Sequence, residues 1–212
     1  MYDGLMPDDA FLNSQSQAHE MNVYSLRSLR MLSAYRKPQP LKSSWQILST
    51  FGIYALCWAL AFMSLQQAYA LSLLFCLPAA LMVGRMFAIQ HDCGHGSLYA
   101  SRRLQDWIGC LCSLFTLIPY HYWRKVHAVH HADLGNLDRR SPGEFPQMTL
   151  AEYQAAPHGK RRLYRLFRNP WTLLLLVPGL MFFLAFRRAR KSPEFTRFER
   201  RSVYLTNLAL WA

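Results

Sequence analysis

The chain has 212 residues, 24 Lys and Arg against 12 Asp and Glu, and a formal net charge of +12, with 52% of its residues hydrophobic. The cations flank long apolar blocks instead of forming a patch of their own, which points to anionic lipid headgroups and argues against a nucleic-acid partner. Cys57, Cys76, Cys110 and Cys112 lie in apolar runs and Cys93 beside histidines, so no paired secreted disulfide framework is present.

Residues 1–44 read as a cytoplasmic N-terminal arm, with helical content around residues 21–35 and a break at RKPQP, where two prolines stand close together. Residues 45–212 read as one membrane domain. Residues 45–65 carry no formal charge and, as a helix, would be about 31 Å long, enough to cross the hydrocarbon core. Residues 68–89 predict a second span, with one charge, Arg85, near its end and Pro78 inside it. Neither is a cleavable signal, because the first starts after a long polar stretch and exceeds a signal's apolar core.

Arg27, Arg30, Arg36, Lys37 and Lys42 precede the first span and Arg102 and Arg103 follow the second, while the joint Gln66-Gln67 is uncharged. The positive-inside rule therefore predicts a transmembrane hairpin with both ends in the cytoplasm. Residues 104–120 form a shorter apolar run, ambiguous by length between a span and an interfacial or re-entrant helix. Residues 121–169 are polar and basic, residues 171–186 predict a third, short span, and residues 187–201 are again basic. Simple parity would put that last basic loop on the outer side, against its charge, unless residues 171–186 pass as a re-entrant or shallow hairpin. Residues 202–212 open another apolar run, too short to cross as it stands. The expected fold class is thus an all-α integral membrane protein of transmembrane helical hairpins with cytoplasmic histidine-bearing helices.

Six of the eight histidines fall between residues 91 and 131. In QHDCGHGS, His91 and His95 stand at i and i+4, one face of a helix that continues the second span. In WRKVHAVHHAD, His127, His130 and His131 stand at i, i+3 and i+4. Either set alone is weak, since a solvated helix face gives the same spacing. Together they are hard to explain as packing, because each buried imidazole nitrogen needs a partner, and metal is the simplest common one. Five imidazoles exceed what one tetrahedral zinc requires and suit more than one ion, or iron with open positions. The glutamate of a zinc protease helix is missing from both sets.

Sharing one site also requires residues 104–120 not to cross the bilayer, so they are expected to be interfacial. Asp92, Asp133 and Asp138 are possible acceptors for the outer imidazole nitrogens, and equally possible loop carboxylates or caps. His121 reads as interfacial, His19 and His158 as solvated, and Tyr120, Tyr122 and Trp123 as an aromatic belt at the membrane boundary.

QHDCGHGS after an apolar hairpin, followed by WRKVHAVHH and GNLDRR, resembles the membrane fatty acid desaturases, most closely the bacterial acyl-lipid branch with Δ12-type enzymes. The likeness covers roughly residues 45–212, and Trp123, Arg124, Asn136, Asp138 and Arg139 also sit where that branch looks similar. It implies an HxxxH box at His91 and His95 and an HxxHH box at His127, His130 and His131. It further implies a cytoplasmic di-iron centre, an acyl chain of membrane lipid as substrate, and an electron donor of ferredoxin or cytochrome type.

A bacterial inner-membrane, multi-pass location follows from the same likeness. So does a third HxxHH box after a second hairpin, which these residues do not contain; the chain is expected to be the front part of such an enzyme and inactive alone. Residues 160–168 could dock an acidic donor or contact headgroups. Two rival readings are a lipid or carotenoid hydroxylase of the same histidine-box group and a non-catalytic truncated membrane protein.

Overall fold

The computed structural model describes Met31 and residues 37–138 and 147–211. The chain divides into two units, Met1–Gln39 and Pro40–Ala212, and every helix numbered below belongs to the second. The helical stretch expected at residues 21–35 lies outside the described residues except for Met31, as do His19 and Arg139. All regular elements among the described residues are helices.

Among the described residues, two single helices are long and apolar enough to cross a membrane: α1, Pro40–Ser64, and α2, Tyr69–His95. Their 25 and 27 residues make them about 37 and 40 Å long, against a hydrocarbon core of about 30 Å. Pro40 opens α1, where its fixed φ and missing N–H cost the helix nothing. Hydroxyls clamp the pair at both ends: Ser64 and Ser72 Oγ lie 3.1 Å apart beside the turn. At the far end Ser43 donates to the Leu98 carbonyl at 2.8 Å and Ser44 meets the Tyr99 hydroxyl at 2.9 Å.

The contact between these helices inverts the pattern of a soluble pair. In α1 the buried residues include Ser43, Thr50, Cys57 and Ser64, and in α2 Ser72, Ala79, Met86 and Cys93, each spaced by seven residues. A seven-residue period holds one seam against a partner, and small residues on it let two backbones approach closely where no water drives association. The large apolar side chains turn the other way: Trp45, Leu48, Phe62, Leu74, Leu77 and Leu81 are all exposed, Trp45 by 72%. Such a surface fits lipid, not water.

α2 runs past the apolar stretch to His95 and stops there. Gly96 takes the left-handed conformation at φ 77°, its N–H meets the Cys93 carbonyl at 3.1 Å, and the Ser97 N–H closes on the Asp92 carbonyl. That termination is a glycine-led cap, and it ends the helix one residue after the second histidine.

α3, Arg102–Thr116, has 15 residues and so spans about 22 Å, short of a crossing. It buries Gln105, Gly109, Cys112, Ser113 and Thr116 and exposes Leu104, Trp107, Leu111 and Leu114. Polar and small residues face the protein and large apolar ones face out. A tight corner through Leu117 (φ 61°), Ile118 and Pro119 leads into α4, Tyr120–Asp133. Gln90, fully buried in α2, holds this corner: its amide donates to the Ile118 carbonyl (2.9 Å) and accepts from the Thr116 hydroxyl (2.7 Å).

α5, Leu150–Ala155, begins with a capping box between Thr149 and Glu152. α6, His158–Arg168, buries no side chain. α7, Thr172–Ala185, alternates two π-helical stretches with an α-helical turn at Val177–Leu180, where Pro178 removes a ladder donor. α6 and α7 meet at a 71° bend, and only together do they reach the length of a span.

α8, Arg197–Trp211, returns to the histidine-bearing helix. Val203 and Phe195 pack with Ile118, Tyr122 and Trp123. Phe195 stacks on Tyr122 at 4.6 Å, and the Arg190 N–H donates to the Tyr122 hydroxyl. Residues 190 and 195 of the basic segment thus pack against α4.

Candidate metal centre

The helical phasing of the histidines is realised in both helices. His91 and His95 sit on the last turn and a half of α2, and His127 and His131 one turn apart on α4. One nitrogen from each of these four lies within 4.8 Å of all the others. Three Nε2 atoms form a triangle, with His91–His127 and His95–His127 at 3.0 Å and His91–His95 at 3.3 Å; His131 Nε2 joins at 3.1 Å from that of His127.

This triangle cannot be satisfied by hydrogen bonds among neutral imidazoles. Each Nε2 either carries a proton or presents a lone pair, so among three of them at least two are alike, and one contact sets donor against donor or acceptor against acceptor. A cation removes the conflict, since all three lone pairs then point inward. The spacing fits as well. Nitrogens about 2.1 Å from one ion lie about 3.0 Å apart at adjacent octahedral positions and about 3.4 Å apart at tetrahedral ones.

His127 is held neutral, its pKa pushed down to about 4, first by burial and then by the facing rings of His91, His131, His95 and His130. A neutral ring has the lone pair that a metal needs. His130, the fifth predicted ligand, stands outside the four-nitrogen group, its ring centre 6.0 Å from that of His127 and 5.7 Å from that of His131. Asp92 Oδ1 lies 3.5 Å from His91 Nδ1, the outer nitrogen of that ring. The Asp138 N–H takes the Asn136 side-chain oxygen within a turn.

Cys93 does not join the histidines; it is fully buried in the apolar cluster with Met86, Ile89 and Tyr120. Cys112 is also buried, which pushes its thiol up to about 12, and Cys110 moves in the same direction for the same reason. Neither is a thiolate at neutral pH.

A polar hub behind the histidines fixes the helices that carry them. Asp106 Oδ1 lies 2.9 Å from an Arg124 nitrogen, 3.2 Å from an Arg102 nitrogen and 3.0 Å from the Tyr120 hydroxyl. Arg102 also donates to the Cys93 carbonyl at 3.1 Å and to the Tyr120 hydroxyl at 3.0 Å. The end of α2, the start of α3 and the start of α4 are therefore tied to one carboxylate. Sequence reasoning read Arg102 as a cation flanking a span and Tyr120 as part of an aromatic belt, and gave Arg124 no role, because their meeting depends on tertiary packing.

Tyr120, Tyr122 and Trp123, expected as an aromatic belt, are instead buried. Trp123 lies nearly parallel to the His127 ring at 4.6 Å and meets Phe87 edge-on. Gly94, between the two α2 histidines, makes room for it: a Cβ there would stand 3.0 Å from the indole. Tyr120 fits over Gly109, where a Cβ would come within 2.4 Å of the phenol ring. His121 is half-buried against Cys110 and Phe198, burial lowers its pKa, and His158 is exposed at the start of α6. An open cavity of about 320 Å³ borders the cluster, lined by His95, His127, Arg102, Arg124, His121 and Glu199 among others.

An all-helical chain with two membrane-length helices and a histidine cradle built for metal is the class that fold and site define. The family model for fatty acid desaturase matches residues 68–212, and the chain belongs to that oxygen-dependent, histidine-box family. It is similar to a fatty acid desaturase of Bacillus subtilis (strain 168), 35% identical over 201 residues, which cover 95% of this chain and 55% of the relative. A sn-1 acyl-lipid omega-3 desaturase (ferredoxin) of Synechocystis is 45% identical over 31% of this chain and 18% of its own length. An endoplasmic-reticulum acyl-lipid omega-3 desaturase (cytochrome b5) of Arabidopsis thaliana is 33% identical over 37% of this chain and 20% of its own length. The chain spans about half the length of the Bacillus relative and less of the other two. No solved structure matches it.

Proposed function

We propose that the chain contributes the larger part of an iron centre in a membrane desaturase that introduces a double bond into the acyl chain of a membrane lipid. The observation that carries this reading is the Nε2 triangle of His91, His95 and His127, which is frustrated without a cation and spaced for one. The ligand set is His91, His95, His127, His130 and His131. Five imidazoles leave a di-iron centre short of donors, so the proposal includes further ligands from residues beyond this chain.

When bound, iron supplies what no acid or base side chain can, activation of oxygen for removal of two hydrogens from an unactivated carbon pair. Oxygen takes four electrons, two from the C–H bonds and two from an outside donor, and leaves as two waters. The chain's own groups hold the geometry. The Asp106 hub locks α2 to α3 and α4, Gln90 fixes the corner that aims α4, and Trp123 presses one face of the His127 ring.

The donor is of ferredoxin or cytochrome b5 type, as the names of similar proteins suggest, and the exposed cations of α6 are one place for it to dock. We place the protein as a multi-pass protein of a bacterial inner membrane. α1 and α2 cross as a hairpin, and the histidines stand on the cytoplasmic side.

The test is the iron content of the detergent-purified chain, alone and extended to the length of its relatives, with product lipids analysed for the extended form. Two irons and new double bonds in the extended form support the reading. A hydroxylated product would replace it with the hydroxylase reading, and absence of iron from both forms would end it.

A further inference from the structure

A second concave site lies away from the histidines. Residues 189–204 enclose a hollow of about 610 Å³ lined by Lys191, Arg197, Arg200, Arg201, Ser192 and Tyr204, with Ala189 and Pro193 at its edge. Its cations share a face for a reason of register. Positions 197, 200, 201 and 204 are i, i+3, i+4 and i+7 on α8. The preceding segment folds back to add Lys191 and Ser192, held by the Arg190 N–H on Tyr122 and by Arg187 paired with the Asn207 side chain.

Four like charges around one hollow repel, and among the described residues none of them forms an ion pair. The nearest carboxylates in sequence do not compensate. Glu194 and Glu199 are absent from the lining, and the Glu199 carboxylate accepts the N–H and hydroxyl of Thr196 while facing the other cavity. A bound anion would relieve that repulsion.

Its position says which anion. Beyond Tyr204, α8 exposes Leu205, Leu208 and Trp211, so the cations stand at one end of an apolar, outward-facing helix, the level at which phosphate headgroups lie.

We propose that this hollow binds the phosphodiester of an anionic phospholipid from the leaflet on the histidine side. The proposal depends on membrane placement and not on iron. The arginines and Lys191 neutralise the phosphate, Ser192 and Tyr204 offer hydroxyls to its oxygens, and the acyl chains run along the apolar face of α8.

The experiment is retention of phosphatidylglycerol against phosphatidylcholine by the 212-residue chain during delipidation, read by native mass spectrometry. The expected result is a preference for phosphatidylglycerol that falls at least about tenfold in R197Q/R200Q/R201Q. It should survive in the charge-matched α6 variant K160Q/R162Q/R165Q, with helical circular dichroism unchanged in both. The single exposed-face variant R201Q gives a milder version of the same loss. Equal loss in the α6 variant would reduce the effect to net charge and overturn the proposal. Displacement of the lipid by millimolar inorganic phosphate would make this a free-phosphate site. Unchanged lipid retention with lost binding of an acidic ferredoxin would assign the hollow to a protein.

Discussion

The Nε2 atoms of His91 and His127 stand 3.0 Å apart although 36 residues separate them in sequence. Between them the chain caps α2 at Gly96, runs through α3, turns at Leu117–Pro119 and comes back, so the contact measures how firmly those elements are held. Three imidazoles brought this close without an ion face at least one repulsive contact, which makes the cradle a place where folding and metal binding are coupled.

That coupling gives the sharpest mutational contrast. His127 touches His91, His95 and His131, whereas His130 is outside the four-nitrogen group. His127→Ala should lower affinity for Fe(II), or for Co(II) as a spectroscopic probe, by at least about 100-fold. His130→Ala should leave the first ion's affinity within a few-fold in this chain. Titration of the purified chain with Co(II), followed by its d–d absorption, reads both; equal losses would show that His130 swings in to share the first ion.

The lowered pKa of His127 has a pH consequence in the metal-free protein. Its folded pKa is about 4, below an unfolded value near 6.5, so between these the unfolded chain binds the extra proton. The contribution of this residue to stability is therefore whole above about pH 6.5, declines as pH falls toward 4 and levels off below that. Denaturation of the metal-free chain in detergent at pH 7.5 and pH 5 should show the loss, and His127→Asn should flatten it. A metal-free chain equally stable at both values would contradict the packing described for this ring.

Gly109 and Gly84 separate tight packing from open surface. A Cβ at Gly109 would meet three atoms of the Tyr120 ring at 2.4–2.7 Å, and a phenol ring has no way to give except by moving α4. Gly109→Ala should cost about 1–3 kcal/mol and reduce metal affinity with it, because α4 carries His127 and His131. Gly84 in α2 has nothing within 4 Å of a Cβ, so Gly84→Ala should be neutral or slightly stabilising. Thermal unfolding of the two variants, side by side, checks both signs.

Among the described residues, Asp106 is the only carboxylate of the hub joining α2, α3 and α4. Asp106→Ala leaves Arg102 and Arg124 facing each other without it, and the partial exposure of all three screens the effect. A loss of about 1–2 kcal/mol is expected, together with weaker Co(II) binding. Arg124→Lys, which keeps a cation facing an intact Asp106, should lose less than Asp106→Ala. Weaker binding without any loss of stability would mean that the hub acts on the cluster by charge and not by position.

The two membrane-length helices and the metal cradle were legible because each rests on a short-range pattern: apolar runs of about twenty residues with at most one charge, and histidines one helical turn apart. What joins them was not. Asp106 belongs to α3 and Tyr120 and Arg124 to α4, and nothing in either segment marks their meeting. Tyr120, Tyr122 and Trp123 read as a membrane belt because that reading needs only their place beside an apolar run, while Tyr120 is buried among residues of α2 and α3 and Tyr122 and Trp123 pack with Phe195 and Val203, more than seventy residues later. His130 was counted with its neighbours because i, i+3 and i+4 share a broad face. At about 100° per residue, however, 130 and 131 fall on opposite sides of 127, and α2 approaches from the side of His131.

The last prediction concerns the membrane itself. If α1 and α2 cross as a hairpin, the joint at Gln66-Gln67 lies opposite the histidines, and the packing of residues 187–196 on Tyr122 puts that basic loop on the histidine side. α7 alone, about 20 Å long, is too short to reverse this. In a background where Cys57, Cys76, Cys93, Cys110 and Cys112 are replaced, a cysteine at Ser97 and one at Ser192 should both be labelled by an impermeant maleimide from the same face of sealed vesicles. A cysteine at Gln67 should be labelled only from the other. Labelling of Ser192→Cys from the Gln67 side would mean that α6 and α7 cross as one span, and the contacts of Phe195 and Arg190 with Tyr122 could not then exist in the membrane.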